Sequence, residues 1–386
     1  MRMTQLKTIA DIQTGPFGSQ LHKEDYVESG TPIVTVEHLG NRVFTEQNLP
    51  RVSDSDKARL IKYTLSTGDI VFSRVGSVDR CSYVDKSHDG WMFSGRCLRV
   101  RPTELVDSLY LYYYFCLEET KQFVRNIAVG ATMPSINTKL LGEVEIALPD
   151  LKNQKRIAAV LSSLDDKIEN NQKLNDNLQQ QAVALFSSLY DRTNTEVRFT
   201  DLIQILGGGT PKTGENTYWN GNIAFFTPKD VGTPYTLITE KTITEEGLSH
   251  CNSRLYPVNT VFVTARGTVG KVGMSGVPMA MNQSCYALVG KETHQLLVYF
   301  YTLKVVDRLK HKASGAVFDA ITTKDFESEQ IMKLSDDDAR AFLCIAEPMF
   351  QKVLNNCIEN LRLSTLRDSL LPKLMSGEID VSAVQL

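Results

Sequence analysis

The chain has 386 residues, 42% of them apolar and 23% charged, which fits two or three globular domains and excludes collagenous, disulfide-stapled and long disordered classes. Its 42 Lys and Arg against 45 Asp and Glu leave a net charge of −3. That is not the basic excess of a free-standing nucleic-acid binder, although a reader inside a larger basic assembly is compatible with it.

Residues 1–150 carry short β-branched and aromatic runs bounded by Gly, Pro, Asn and Asp, among them T-P-I-V-T-V, G-D-I-V-F-S and C-L-R-V-R-P. Such runs read as strands joined by turns. A helical stretch is expected over about 105–126, where Tyr110, Tyr112, Tyr113 and Tyr114 stand close together and read as core packing rather than base-stacking residues. A long spacer helix is expected within 151–195. There Ile157, Leu161, Leu164, Ile168, Asn171, Asn175, Leu178, Ala182, Leu185 and Leu189 step by 4 and 3 without interruption. Residues 196–335 read as a second mixed globule with runs I-A-F-F-T, N-T-V-F-V-T and C-Y-A-L-V-G and a helical stretch over about 292–312. A second spacer helix within 336–386 carries the matching series Phe342, Ala346, Met349, Val353, Asn356, Asn360, Leu363, Arg367, Leu370 and Leu374.

The chain is a tandem duplication. Shifted by 185 residues, Gly130-Ala131 falls on Gly315-Ala316, Ile136 on Ile321, Thr138-Lys139 on Thr323-Lys324 and Asn170-Asn171 on Asn355-Asn356. Upstream the offset drifts, so that Asp69–Val78 answers Thr260–Val269 and Cys97 answers Cys285. The fold class that follows is mixed α/β: two similar globules separated by a long antiparallel two-helix coiled coil, with pseudo-two-fold symmetry.

Alternating steps of 4 and 3 are the seam of a coiled coil. Each seam covers about 33 residues, roughly 50 Å at 1.5 Å per residue. Two surface helices packed each on its own globule would leave the regularity of the seam without a cause. A buried Asn is costly unless paired and so fixes register. Antiparallel pairing sets Asn171 opposite Asn360 and Asn175 opposite Asn356, and the expected shape is a dumbbell. On DNA such a molecule would read two half-sites, at most roughly 14 base pairs apart at 3.4 Å each.

Catalytic patterns are missing. Gly207–Lys212 (G-G-G-T-P-K) lacks the spacing of a P-loop, no G-x-G-x-x-G joins a strand to a helix, and the six histidines show no metal spacing. No G-x-S-x-G elbow and no N-P-P-[FY] methyltransferase tetrapeptide occurs. Asp165-Asp166-Lys167 has the residue types of a nuclease site, but its place between Leu164 and Ile168 makes a solvated helix face the simpler expectation. No apolar run approaches the ~18 residues of a membrane span, and the first residues lack the apolar core of a secretory signal. The seven cysteines include no C-x-x-C pair, so reduced thiols in a cytoplasmic chain are expected.

Several segments, in this order and partly duplicated, resemble the specificity subunit of type I restriction–modification systems. They are Gly207–Lys212, Val261–Gly270, Met281–Cys285, the helix entry Leu151–Ala158 and the ending Leu370–Ile379. Copy one departs from the pattern, with Gly15–Ser19 for the G-G-T-P form and Phe93–Cys97 for M-N-Q-S-C. The resemblance implies a non-catalytic, DNA-recognising chain whose partners are double-stranded DNA, two methyltransferase subunits and motor-nuclease subunits. It implies no cofactor in this chain, with S-adenosylmethionine, ATP and Mg in the partner subunits, which would carry adenine methylation and ATP-dependent cleavage. A coiled-coil scaffold without a DNA role, and the reader part of a stand-alone methyltransferase, are the alternatives.

DNA contacts are expected from polar and basic loop residues: Ser19, Gln20, His22, Lys23, Arg74, Arg80 and Arg96 in copy one, and Lys212, Thr227, Lys229, Arg266, Lys271 and Gln283 in copy two. Arg suits guanine and Gln or Asn suits adenine, whereas Lys, Ser and Thr more often hold phosphate. For each residue a solvated or locally bonded role is equally open. The strand context of Asn282 and Gln283 favours buried hydrogen bonding that supports the fold. Methyltransferase helices are expected to dock beside the Asn layers and at Leu370–Leu374.

Overall fold

The computed structural model describes residues 2–16, 18, 20–232, 234–312 and 320–384, with the side chain of Lys23 outside that description. The chain divides into two compact units, Met1–Lys167 with Leu363–Leu386, and Ile168–Arg362. Each therefore combines one globule with part of both long helices.

In the first unit a four-stranded antiparallel sheet runs in the order Ala10–Thr14, Cys97–Pro102, Ile70–Ser73, Cys81–Tyr83. A smaller sheet joins Thr31–Val34 in parallel to Met92–Phe93, with Ile33 opposite Met92. Ile70, Phe72, Leu98 and Val100 are fully buried and pack with the apolar helix Ser108–Cys116. That helix starts where the Asp107 carboxylate accepts from the Tyr110 N–H at 2.9 Å, satisfying one of its free amides. Being apolar around its circumference, it can only be buried. Tyr110, Tyr112, Tyr113 and Tyr114 accordingly lie in the core. The single helical stretch expected over 105–126 is in fact two helices, Ser108–Cys116 and Glu118–Ile127. They part at Leu117, whose ψ of 133° is extended.

The second unit repeats the plan. Its sheet runs Ile203–Gly207, Cys285–Gly290, Val261–Thr264, Val272–Ser275, Tyr235–Thr236. The register repeats as well: Ile70 pairs with Val100 and Ser73 with Cys97, while Val261 pairs with Leu288 and Thr264 with Cys285. A parallel pair recurs between Trp219–Phe226 and Met279–Met281, and Gln295–Lys312 takes the place of the buried helix.

The long helices are Leu151–Tyr190 and Asp336–Ser376, of 40 and 41 residues. They exceed the seam because their caps lie upstream of it. Asp150 accepts from the Asn153 N–H at 2.8 Å, and Ser335 Oγ from the Asp338 N–H at 3.1 Å. Asp336, Asp337 and Asp338 in the first turn also complement the helix dipole. Pairing is antiparallel. Within the second unit Asn171 donates to Asn360 Oδ1 and Asn356 donates to Asn175 Oδ1, each at 2.8 Å. In the first unit Asp165 meets Arg367 at 2.6 Å. Every expected seam residue is buried or half-buried. No helix among the described residues is long and apolar enough to cross a membrane.

Candidate nucleic-acid interface

The same end of both main sheets carries loops that main-chain bonds draw together. In the first unit the Ser73 N–H donates to Arg80 O (2.9 Å), Arg74 N–H to Arg96 O (2.8 Å) and Ile136 N–H to Arg74 O (2.9 Å). In the second the Thr264 N–H donates to Lys271 O (3.0 Å), Ala265 N–H to Ser284 O (2.8 Å) and Ile321 N–H to Ala265 O (3.0 Å). One hydrogen-bond frame thus carries Arg74, Arg80 and Arg96 in one copy and Ala265, Lys271 and Ser284 in the other. The geometry is shared while the side chains differ.

A glycine closes each frame. A Cβ at Gly15 would lie 2.1 Å from the Ser94 carbonyl oxygen, and one at Gly208 would lie 2.2 Å from that of Asn282. Only glycine admits so close a backbone approach. Gly15 therefore performs in copy one the part that the G-G-T-P form performs in copy two.

Around this frame the expected contact residues fall into two groups. Arg80, Arg96, Lys212, Lys229, Arg266 and Lys271 are exposed on the converging loops, as is His22, whose backbone N–H donates to Asp25 at 2.6 Å. Asp79, beside Arg80, is tied to Arg125, and Lys229 pairs with Glu240 at 3.4 Å. Arg74, Gln20 and Thr227 are committed locally. Arg74 donates to Gly95 O at 3.0 Å, and Gln20 accepts from the Tyr63 hydroxyl at 2.7 Å. The Thr227 hydroxyl and N–H both donate to Asp230, closing a turn. Lys23 opens the short turn Lys23–Asp25, and Ser19 lies outside the described residues.

Asn282 and Gln283 sit on the tight turn between Met279–Met281 and Cys285–Gly290, not within a strand. Asn282 supports that turn by accepting from the Ser284 N–H at 3.0 Å. Gln283, contrary to the strand reading, is exposed and accepts from the Thr210 hydroxyl. Beneath these turns, burial pushes the Cys97 and Cys285 thiols up to about 12, so neither offers a thiolate at neutral pH.

Asp165 also departs from expectation, whereas Asp166 and Lys167 are exposed as a solvated helix face requires. Asp165 is only 5% exposed and accepts from the Tyr113 hydroxyl and the Arg367 guanidinium, each at 2.6 Å. Burial works against the charge on Arg367, but the Asp165 carboxylate outweighs it and raises the Arg367 pKa above its ordinary value. Asp166 pairs with Arg42 at 2.7 Å. Both acids tie the helix to the globule, Asp165 from a buried position and Asp166 from the exposed face. Sequence reading missed them because Arg367, a charge in an apolar seam, was the available signal and its counter-charge lies on a distant segment.

Residues 1–180 and 192–333 match the family described as type I restriction modification DNA specificity domain. The chain is 25% identical to the MjaIX specificity subunit of a type I restriction enzyme from Methanocaldococcus jannaschii, over 72% of this chain and 71% of that one. It is 23% identical to the HindI specificity subunit from Haemophilus influenzae, over 82% of this chain and 88% of that one. A crystal structure of a type I restriction–modification S subunit from M. genitalium shares the fold, with a TM-score of 0.61 at 17% identity over 97% of this chain and 95% of that one. With the family matched over both halves of the chain, this protein belongs to the type I restriction–modification DNA specificity family.

Proposed function

We propose that this chain is the DNA-reading subunit of a type I complex, each globule reading one half of a bipartite target and the paired helices fixing the unread spacer. The observation that carries this reading is the duplicated main-chain frame with different exposed cations on it: Arg80 and Arg96 in one copy, Lys271 and Arg266 in the other. A constant scaffold with variable polar tips is what two related readers of different sequences require. Lys residues and Arg80 hold phosphates, and Arg96, Arg266 and Gln283 are the side chains able to address base edges. The domains assigned are 1–150 and 196–335 as readers, with 151–195 and 336–386 as spacer helices.

The chain itself performs no chemistry in this reading. Methylation and cleavage, with S-adenosylmethionine, ATP and Mg, belong to methyltransferase and motor-nuclease subunits. The methyltransferase subunits dock on the long helices, where Leu174, Val183, Ile345 and Leu366 are large apolar side chains left exposed. Shared phosphate contacts with those subunits account for a reader whose own charge is −3.

The test is to sequence modified bases in the host genome with the gene intact, deleted, and carrying a foreign segment in place of 196–335. A split motif that vanishes on deletion and changes in one half on exchange is the expected result. Modification that does not depend on the gene would overturn the reading and leave the scaffold role.

A further inference from the structure

Residues 129–135 form a closed turn beside the cationic loop of the first unit. Val129 and Ser135 exchange both main-chain hydrogen bonds, at 2.9 and 2.8 Å, and the Ser135 hydroxyl donates to Val129 O at 3.1 Å. Gly130 has φ +109°, and a Cβ there would meet the Met133 carbonyl oxygen at 2.7 Å. The turn is also pinned to its neighbour, with the Gly76 N–H donating to Pro134 O at 2.8 Å and the Ile136 N–H to Arg74 O at 2.9 Å. Such a backbone has little freedom left. Yet it holds two large apolar side chains out into solvent, Val129 at 63% and Met133 at 64% exposed.

Single exposed apolar residues are ordinary. Three observations set this pair apart. Its side chains are exposed on a turn whose backbone is closed and pinned by main-chain hydrogen bonds. The loop bonded to it carries Arg74 and Arg80, with Arg96 one hydrogen bond further on. Finally, in sequence the second copy places Phe318 where the 185-residue shift puts Met133, in G-A-V-F-D-A-I-T-T-K against G-A-T-M-P-S-I-N-T-K; residues 313–319 lie outside the described ones. A partner complementary to an apolar point flanked by cations has anionic edges and an apolar interior. Duplex DNA has that profile, and Met, Phe and Pro are among the residues that proteins insert between base steps.

We propose that Met133, backed by Val129, is a wedge that the first globule presses into one base step of its half-site, partly unstacking it, while Arg80 holds a flanking phosphate. This rests on the DNA-reading function proposed above.

The experiment uses the full chain co-purified with its methyltransferase subunits and duplexes carrying 2-aminopurine at successive steps of the half-site. The unsubstituted complex is expected to brighten the probe at one step. Met133→Ser removes that signal and weakens binding to the specific duplex roughly tenfold, leaving non-specific binding unchanged, while Met133→Leu retains both. Arg80→Ala instead weakens specific and non-specific binding alike and flattens the salt dependence. If Arg80→Ala has that effect but Met133→Ser changes neither fluorescence nor affinity, the wedge is wrong and DNA reading stands. Should neither variant alter DNA binding, both ideas fall. If Met133→Ser releases the methyltransferase subunits without changing DNA affinity, the turn is a protein contact and the wedge is again wrong.

Discussion

In the first unit the long helices close on the globule around a charge, with Asp165 accepting from Tyr113 and from Arg367 at 2.6 Å each. In the second unit the 185-residue shift replaces Asp165 by Phe350 and Arg367 by Ala182, and Phe300 stands in the place of Tyr113. There the rings of Phe300 and Phe350 lie 5.5 Å apart, and Phe186 stacks on Phe300 at 5.0 Å. One junction is held by a desolvated ion pair and the other by aromatic packing, over the same backbone plan. The difference teaches that the helix–globule junction constrains shape more than chemistry. It also predicts unequal responses to damage, since a buried charge deprived of its partner costs more than the pair contributes.

The largest expected effect is therefore in the first unit. Asp165→Ala removes the buried acceptor of Tyr113 and Arg367, of which Arg367 keeps Asp368 at 2.8 Å, and should cost about 3 kcal/mol in chemical denaturation, the low end for breaking a buried pair. Transplanting the other solution, with Asp165→Phe, Arg367→Ala and Tyr113→Phe together, should recover most of that loss, because apolar replacements of buried ion pairs are often neutral or better. A triple variant as unstable as Asp165→Ala would show that the two junctions are not interchangeable. Next come the glycines that close the frames. Gly15→Ala and Gly208→Ala should each cost about 1–3 kcal/mol by overpacking against a carbonyl, and by similar amounts. A harmless change at one of them would break the equivalence of the two rims.

A smaller effect, of opposite sign, is expected at the Asn layers. Asn356 Oδ1 is buried without a partner among the described residues, so these layers carry a cost. Changing Asn171, Asn175, Asn356 and Asn360 together to Leu, so that no amide is left buried without its partner, should raise the thermal midpoint, by about 1 kcal/mol of stability, while cross-linking across the seam reports a mixture of registers. A single unchanged register would show that Asn does not set it. The smallest effects compare the two rims one cation at a time. Arg80→Ala and Lys271→Ala should each reduce the salt slope of DNA binding by about 0.9, the share of one phosphate contact. A residue whose removal leaves the slope unchanged makes no phosphate contact.

The seam was the most legible feature in the sequence, because a spacing of 4 and 3 over ten positions has one physical cause. The pairing of Asn171 with Asn360 and of Asn175 with Asn356 followed from it. Strands such as Ile70–Ser73 and Val261–Thr264 were legible as β-branched runs. The helix break at Leu117 was not, since nothing in L-E-E-T-K forbids a continuing helix. Asp165 was misread because sequence spacing places it beside the seam, whereas its burial depends on Tyr113, more than 50 residues earlier. The closed turn at 129–135 also escaped notice. Its shape comes from bonds to Arg74 and Gly76, and its periodicity matches neither a helix nor a strand.

The frames around Arg74 and Ala265 are built from amide and carbonyl groups, which every residue but proline supplies in full. Substitutions at 80, 96, 266, 271 or 284 therefore leave the framework bonds in place. In the proposed reading, the recognised word drifts by single mutations without passing through an unfolded ancestor, and one half changes while the other keeps its meaning.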